Sequence, residues 1–448
     1  MARLSMKPDW VALLPDIVVT IAISIPDAKD LLAFLKALGP YNLLGPLEHL
    51  YQLSLSRHCM DLWPVLRLRP SILGSVHKTS FETITKFYGN VILQEDWDNV
   101  EWLKTYLNPM AQIEWNLNVY RSREVVDGWS DLKITRVKIE IDDYDASIMC
   151  KNILPRLPNL KSLHLTIANV NLNDLFPFLA TLHQITEVMI DSDGFQLARS
   201  DLVQLTEWFR HDTLRKLRFH RADWGNVDDG GVKRSFFQAI FNSPMLESLE
   251  FSFCDLQDID FSAMVFCMKS LRLINCRITP RQVQDMSRRL EGSKLTHLEL
   301  TDVVVFNDVH RLEYLLRIQP RTSIKHLALN GFNMATPSLT SLAPLFQNCT
   351  LEKLSLCTTS ITSEVAESIA AAIQKNHTIG ELSLNYNENA IPTMQLVVES
   401  VTHPNRKVKR KRIKWTSRFQ RVKHFGPLEL LKDLATERGG EFVYFSRF

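Results

Sequence analysis

The sequence lacks the features that mark most enzymes, secreted scaffolds and membrane proteins. It has seven cysteines, an odd number with no C-x-x-C pair, which argues against a disulfide framework or a zinc module. There is no G-x-S-x-G elbow, P-loop, H-E-x-x-H or G-x-G-x-x-G, so no catalytic residue, cofactor or metal ligand is assigned. No stretch reaches the ~18 consecutive apolar residues of a membrane span. The apolar run from Trp10 to Ile25 is interrupted by Pro15-Asp16, and Ser24-Ile25-Pro26-Asp27 is a poor cleavage site for a leader. No Gly/Ser-rich linker separates residues 63–133 from those that follow, so no domain boundary is placed there. These absences point to a chain that is neither secreted nor membrane-spanning, expected in the cytoplasm, the nucleus or both.

What the sequence has in abundance is one phrase, L-x-x-L-x-L. It reads Leu351-Glu-Lys-Leu354-Ser-Leu356, and again Ile379 to Leu384, Ile324 to Leu329, Leu295 to Leu300, Met268 to Leu273 and Leu246 to Phe251. Upstream it continues as Leu214 to Phe219, Ile185 to Ile190, Leu160 to Leu165 and Ile134 to Ile139. The mean step is about 27 residues, within the period of leucine-rich repeats, and the array resembles the ribonuclease-inhibitor-like kind. Each short strand is followed by a helix-length apolar segment, such as 281–290, 309–318, 364–374 and 393–401. The expected fold is therefore an α/β curved solenoid, with parallel strands on a concave face and helices on the convex one. Such an array has no need of one large core, because each repeat buries its apolar face only against its neighbours.

Cys254 and Cys276 lie three residues beyond the third apolar position, the slot where such repeats place Asn or Cys in the turn leaving the strand; Asn387 matches it too. The two cysteines are expected to be buried structural thiols in a reducing compartment. Weaker phrases at Trp63-x-x-Leu66-x-Leu68, Tyr88-x-x-Val91-x-Leu93 and Leu117-Asn118-Val119 suggest degenerate repeats from residue 63. The organisation read from the chain is residues 1–62 as a helical region, 63–404 as the solenoid (63–133 degenerate, 134–404 clear) and 405–448 as a basic segment with a C-terminal cap. That cap is expected as a helix at 427–434 and a last strand at 442–445.

Residues 11–35 read as two short helices, the first opened by Pro15 and the second begun by Pro26-Asp27. Leu14-Pro15-Asp16-Ile17-Val18-x-x-Ile21, followed by Ile25-Pro26-Asp27-x-x-Asp30-Leu31, resembles the opening of an F-box. That resemblance implies a substrate receptor of a cullin–RING (SCF-type) ubiquitin ligase, in which Leu14, Pro15, Ile17, Ile21 and Leu31 meet the adaptor subunit and the concave face holds a protein target. The alternative is a leucine-rich-repeat scaffold without ubiquitin-ligase association, whose first residues only cap the solenoid. Neither performs covalent chemistry.

On the expected concave face, the fifth position of the phrase runs Arg218, Glu250, Arg272, Glu299. Opposite charges on adjacent strands can neutralise one another, or can form a polar partner-binding surface extended by Arg215, Lys216, His220 and Arg221 toward an acidic partner. His297 and His326 share the third position of neighbouring strands, close enough for their rings to meet. Asp142-Asp143-Tyr144-Asp145 is a polar strand exit rather than a cation site.

The formal net charge of +2 conceals an uneven distribution. Residues 406–423 hold ten Lys/Arg and no carboxylate, whereas residues 1–405 carry 39 basic and 46 acidic side chains, a net −7. Lys409, Arg410, Lys411 and Arg412 resemble a nuclear-import signal, and Ile413, Trp415 and Phe419 interleave with the charges as in a nucleic-acid stacking surface. A solvated loop leading to the final cap is the third reading. The acidic body makes a nucleic-acid partner the least expected of the three.

Overall fold

The computed structural model describes residues 15–41, 43–95, 97, 99–117, 128–141, 150–168, 175–192, 196–210, 213–303, 309–331, 342–357, 362–385, 391–416 and 425–444. Two compact units emerge, Met1–Asn171 with Leu182–Thr186, and Leu172–Thr181 with Glu187–Phe448.

The described residues of the first unit open with four helices: α1 (Pro15–Ser24), α2 (Ala28–Leu38), α3 (Leu47–Ser54) and α4 (Cys59–Leu62). Pro15 opens α1, where its missing N–H costs nothing. The Asp27 carboxylate caps α2 by accepting from the amides of Lys29 and Asp30. Leu31, Leu35, Leu47, Leu50 and Leu53 are buried among these helices. Trp63 is buried with them, and its indole N–H donates to the Ile25 carbonyl at 2.7 Å, closing the α1–α2 corner.

Five strands come next: β1 (Leu66–Leu68), β2 (Asn90–Gln94), β3 (Gln112–Leu117), β4 (Ile134–Ile141) and β5 (Ser162–Ile167). Each pairs in parallel with the next. The register corrects the expected alignment of the early repeats. Leu68, Leu93, Trp115, Val137 and Leu163 form one column, so the fourth position of the phrase falls on Leu68 and Leu93, not on Leu66 and Val91. The third strand lies at 112–117 rather than around Leu117-Asn118-Val119, and the pairing shifts between Ile113 and Glu114 to absorb the difference. Bulky aromatic residues take aliphatic positions here and blur the phrase. Trp115 stacks on Trp129 with ring centroids 4.0 Å apart.

Among its described residues the second unit holds ten strands: β6 (Glu187–Ser192), β7 (Lys216–His220), β8 (Ser248–Ser252), β9 (Ser270–Ile274), β10 (His297–Thr301), β11 (His326–Asn330), β12 (Lys353–Ser355), β13 (Glu381–Ser383), β14 (Arg412–Trp415) and β15 (Glu441–Tyr444). They are parallel and neighbour one another in sequence order, an open arrangement with strands alternating with helical segments. Helices Arg199–Arg210 and Gly230–Phe241 pack side by side, as do Ser363–Lys375 and Ile391–Val401. This is the leucine-rich-repeat fold that the 27-residue phrase anticipated.

Alternation along each strand sorts the side chains. Leu217, Leu249, Leu271, Leu298, Leu327, Leu354, Leu382, Ile413 and Phe442 form one buried column in exact register, one residue per strand. Burying such a side chain contributes roughly 1.5–3 kcal/mol. Residues on either side of the column, at the third and fifth positions, face outward and build the exposed surface of the sheet.

Strand exits repeat as strictly. Arg221, Phe253, Asn275, Asp302 and Gly331 all have positive φ, between 48° and 75°. Their amides donate to carbonyls at or just beyond the ends of the following strands at 2.8–2.9 Å, which ties each turn to the next repeat. The Cys276 thiol, one residue further on than Asn275, donates to the Phe251 carbonyl at 3.2 Å, and the Cys254 thiol to that of Ser252 at 3.3 Å. Burial pushes both thiols up, Cys276 to about 11, so they serve as neutral donors. Asn387 and the aspartates at 142–145 lie outside the described residues.

Leu298→Ala, in the middle of the column, is expected to cost about 3 kcal/mol in urea denaturation because repacking is limited by neighbours on both sides. Leu298→Asp is expected to unfold the central repeats by burying an unpaired charge. An Asp variant with wild-type stability would mean that this column does not face the core.

Candidate functional site

The outward positions of the second unit carry two charge ladders with a hollow between them. The first runs through the fifth position of β7–β10. Arg218 Nε lies 3.0 Å from Glu250, Arg272 reaches Glu250 at 2.8 Å and Glu299 at 2.7 Å, and the register places these residues directly opposite one another. Beside it, Lys216 pairs with Glu187 at 2.6 Å, Arg215 with Glu247 at 3.2 Å, and His220 with Asp191 at 2.6 Å. The Arg221 guanidinium lies over the Phe253 ring, 6.0 Å from its centroid. The cations expected to await an acidic partner are thus already paired with neighbouring groups: carboxylates for Arg215, Lys216, Arg218 and Arg272, an aromatic ring for Arg221. The self-neutralised reading of this stretch is the one the geometry supports.

A second ladder, which the sequence pattern did not reveal, occupies the third position of β12–β15. Lys353, Glu381, Arg412 and Glu441 alternate in sign and stand opposite one another in register. Arg412 and Arg410 both reach Glu441, at 3.2 and 3.3 Å, and Lys414 reaches Glu381 at 2.6 Å. Burial raises the Glu381 carboxyl, but Lys414, Lys353 and Arg412 together hold it below the usual carboxylate range.

Between the ladders the fifth position changes character. After Glu299 it reads Ala328, Ser355, Ser383 before charge returns at Lys414. Small residues on three successive strands leave a hollow of about 310 Å³. One wall is the third position: His297, His326, Lys353 and Glu381. The two imidazoles meet edge to face with centroids 4.0 Å apart. Burial depresses both, and the charge of Lys353 depresses them further, so the rings are neutral near pH 7. At the strand exits, Asn330 accepts from the Ser355 hydroxyl at 2.9 Å and from the Cys357 amide at 3.0 Å, which fixes that rim. Among the described residues no group of three or more His, Cys, Asp or Glu is arranged to hold a metal ion.

The basic segment is built into the fold, correcting both the loop and the stacking readings. Ile413 and Trp415 of β14 are buried, so Trp415 has no face to offer a base; Phe419 lies outside the described residues. Arg406 is buried as well. Its guanidinium donates to the carbonyls of Asn376 (2.9 Å), Val401 (2.5 Å) and Ile379, and burial pulls it down to about 10. Lys411 donates to the carbonyls of Thr402 and His403 beyond the end of the helix Ile391–Val401. Of the four import-signal residues only Lys409 and Arg410 are exposed, and Arg410 is paired.

The residues expected at an adaptor contact do not form one edge. Ile17 and Ile21 are 44% and 40% exposed on one flank of α1, and Ile23 is 44% exposed on another. Leu31, expected with them, is completely buried and belongs to the packing of the helices. Leu14 lies outside the described residues, and Pro15 is the first residue of α1.

No family model matches the chain, and no curated protein matches it. Among solved structures it is similar to a protein from Bacteroides fragilis (15% identity, 60% of this chain and 72% of that one, TM-score 0.35). It is also similar to a leucine-rich-repeat protein from Leptospira interrogans (12% identity, 84% and 95%, TM-score 0.36). The fold class rests on strand order and register in this chain, and nothing in the comparisons supports the F-box resemblance. No helix among the described residues is long and apolar enough to cross a membrane.

Replacing Arg406 with Met leaves three buried carbonyls without their donor and is expected to cost about 3 kcal/mol in urea denaturation. Lys409→Ser, at an exposed position, is expected to stay within about 0.5 kcal/mol of wild type. Equal effects would contradict the placement of the segment.

Proposed function

We propose that the protein is a binding scaffold that holds a protein partner on the strand face of its second unit, centred on the hollow between Glu299 and Lys414. The observation that carries this reading is the interruption of the charge ladder. Along β7–β10 the outward charges satisfy one another, and binding on such a surface requires costly desolvation of its ion pairs. At Ala328, Ser355 and Ser383 the surface recedes and offers a recess walled by polar groups, the shape that accepts a protruding side chain. The tagged chain is expected to retain a reproducible set of proteins on affinity purification, and Ala328→Trp, which fills the recess without touching the buried column, is expected to lose them by tenfold or more. Retention of the full set by a folded Ala328→Trp chain would move the contact elsewhere.

A second reading, the ubiquitin-ligase substrate receptor, is favoured by one observation. Ile17 and Ile21 expose apolar surface on one flank of the polar stripe Asp16–Thr20–Ser24 of α1, and Ile23 on the other, while Val18 and Ala22 are buried. In this reading α1 docks the adaptor subunit and the strand face holds the protein to be modified, with proximity as the chain's contribution. The same purification separates the two readings. An adaptor and cullin that disappear with Ile17→Asp, while proteins lost with Ala328→Trp remain, supports the receptor; no such subunits with the wild-type chain leaves the plain scaffold.

A further inference from the structure

The lining of the hollow carries a charge pattern that goes beyond a shape for binding. Three cations, Arg272, Lys353 and Lys414, face two carboxylates, Glu299 and Glu381. Arg272 is committed to Glu299 and Glu250, and Lys414 to Glu381 at 2.6 Å. Lys353 is different: its ion pair with Glu381 spans 4.0 Å, and half of its side chain is exposed. The surplus positive charge of the hollow therefore resides on Lys353. Next to it in register stands His326, and beyond that His297. The floor adds the Ser383 hydroxyl, which accepts from Asn385 at 3.2 Å.

We propose that the hollow receives an anionic side chain of the bound protein, a carboxylate or a phosphorylated residue, gripped by Lys353 and the adjacent imidazole of His326; this rests on the strand face being where a partner binds. An anion seated there completes a charge pair that the fold leaves loose and gains N–H donors from groups held in fixed positions by the strands. The imidazole pair makes the grip depend on pH. The charged groups facing the rings are Arg272 from β9, Glu299 from β10, Lys353 and Glu352 from β12 and its approach, Glu381 from β13 and Lys414 from β14. In the empty hollow, burial and Lys353 keep the rings unprotonated near neutrality, and Glu352 and Glu381 offset this only in part. An anion beside them favours the protonated form, so binding takes up a proton. Affinity then rises as pH falls toward the ordinary imidazole range and levels off once the empty site is itself protonated.

The test uses the full chain with ¹³C-labelled histidine, His297 and His326 being assigned from the His297→Gln and His326→Gln variants. Three capped Gly-Ser peptides serve as probes, with a central triple Glu, a central phosphoserine or a central triple Gln. The triple-Glu or phosphoserine peptide is expected to raise the titration midpoints of these two histidines by about 0.5 pH unit or more, leaving other histidines unmoved. The triple-Gln peptide is expected to shift neither. Lys353→Arg should keep the response and Lys353→Met should lose it. A response to phosphoserine alone identifies a phosphorylated partner; a response to triple Glu identifies an acidic one. No shift with either charged peptide, or an equal shift in Lys353→Met, overturns the proposal. Because the probes are peptides and not the partner, that outcome leaves the Ala328→Trp purification to stand or fall separately.

Discussion

Within each unit the structure depends on parallel pairing of each strand with the next. One repeat cannot bury its leucines alone; it buries them against the same positions of its neighbours, and a shift of one residue would turn the whole apolar column toward water. Because the second unit keeps that register from β7 to β15, a residue type chosen at one outward position always meets the same position on either side. Surface chemistry is therefore written in columns. Two columns alternate in sign, the first with its charges paired and the second with Lys353 loosely held, and a run of small residues continues the first column past Glu299.

Magnitudes decide what those columns do. Each exposed ion pair contributes about 0.2–1 kcal/mol, far less than the buried column beneath it, so the ladders add little to the fold. A side chain approaching Arg218–Glu299 must compete with partners already at 2.7–3.0 Å. In the hollow Arg272 and Lys414 are paired in the same way, and the loosely held cation is Lys353. Arg406 belongs to a different kind of interaction. Buried and bonded to backbone carbonyls, it holds three of them together, and the Asn376 side chain joins neighbouring repeats in the same way, donating to the carbonyls of Phe346, Gln347 and Cys349.

Much of the fold can be read from the sequence because the apolar phrase is the physical unit of burial. Strands β4–β13 coincide with it, and helix 309–318 matches to the residue. Reading failed where the first apolar position of the phrase is replaced. In β14 that position is Arg410, so the strand Arg412–Trp415 was hidden inside a run of basic residues, and the second ladder with it, whereas the last strand, expected at 442–445, lies at Glu441–Tyr444. In the first unit, Trp63 and Tyr88 imitate the first apolar position and displace the alignment by two: counted back from Leu68 and Leu93, that position holds Val65 and Asn90. The charge ladder of β7–β10 was visible as alternation, but whether it faced a partner or itself required distances. The hollow had a signal that went unread: the same column passes from Glu299 to Ala328, Ser355 and Ser383, and consecutive small residues in one column make a recess. Leu31 could not be told from Ile17 and Ile21 because all three are apolar, and burial alone separates them.

The central functional claim is that a partner meets the strand face at the hollow and not the helices of the same repeats. It is tested most directly by placing a photo-crosslinking amino acid at Ser355, on the floor of the hollow, or at Glu367, exposed on the helix of the next segment, and irradiating the chain in a lysate. The account predicts a discrete adduct from position 355 that is absent from position 367. A discrete adduct from 367 with none from 355 would contradict it.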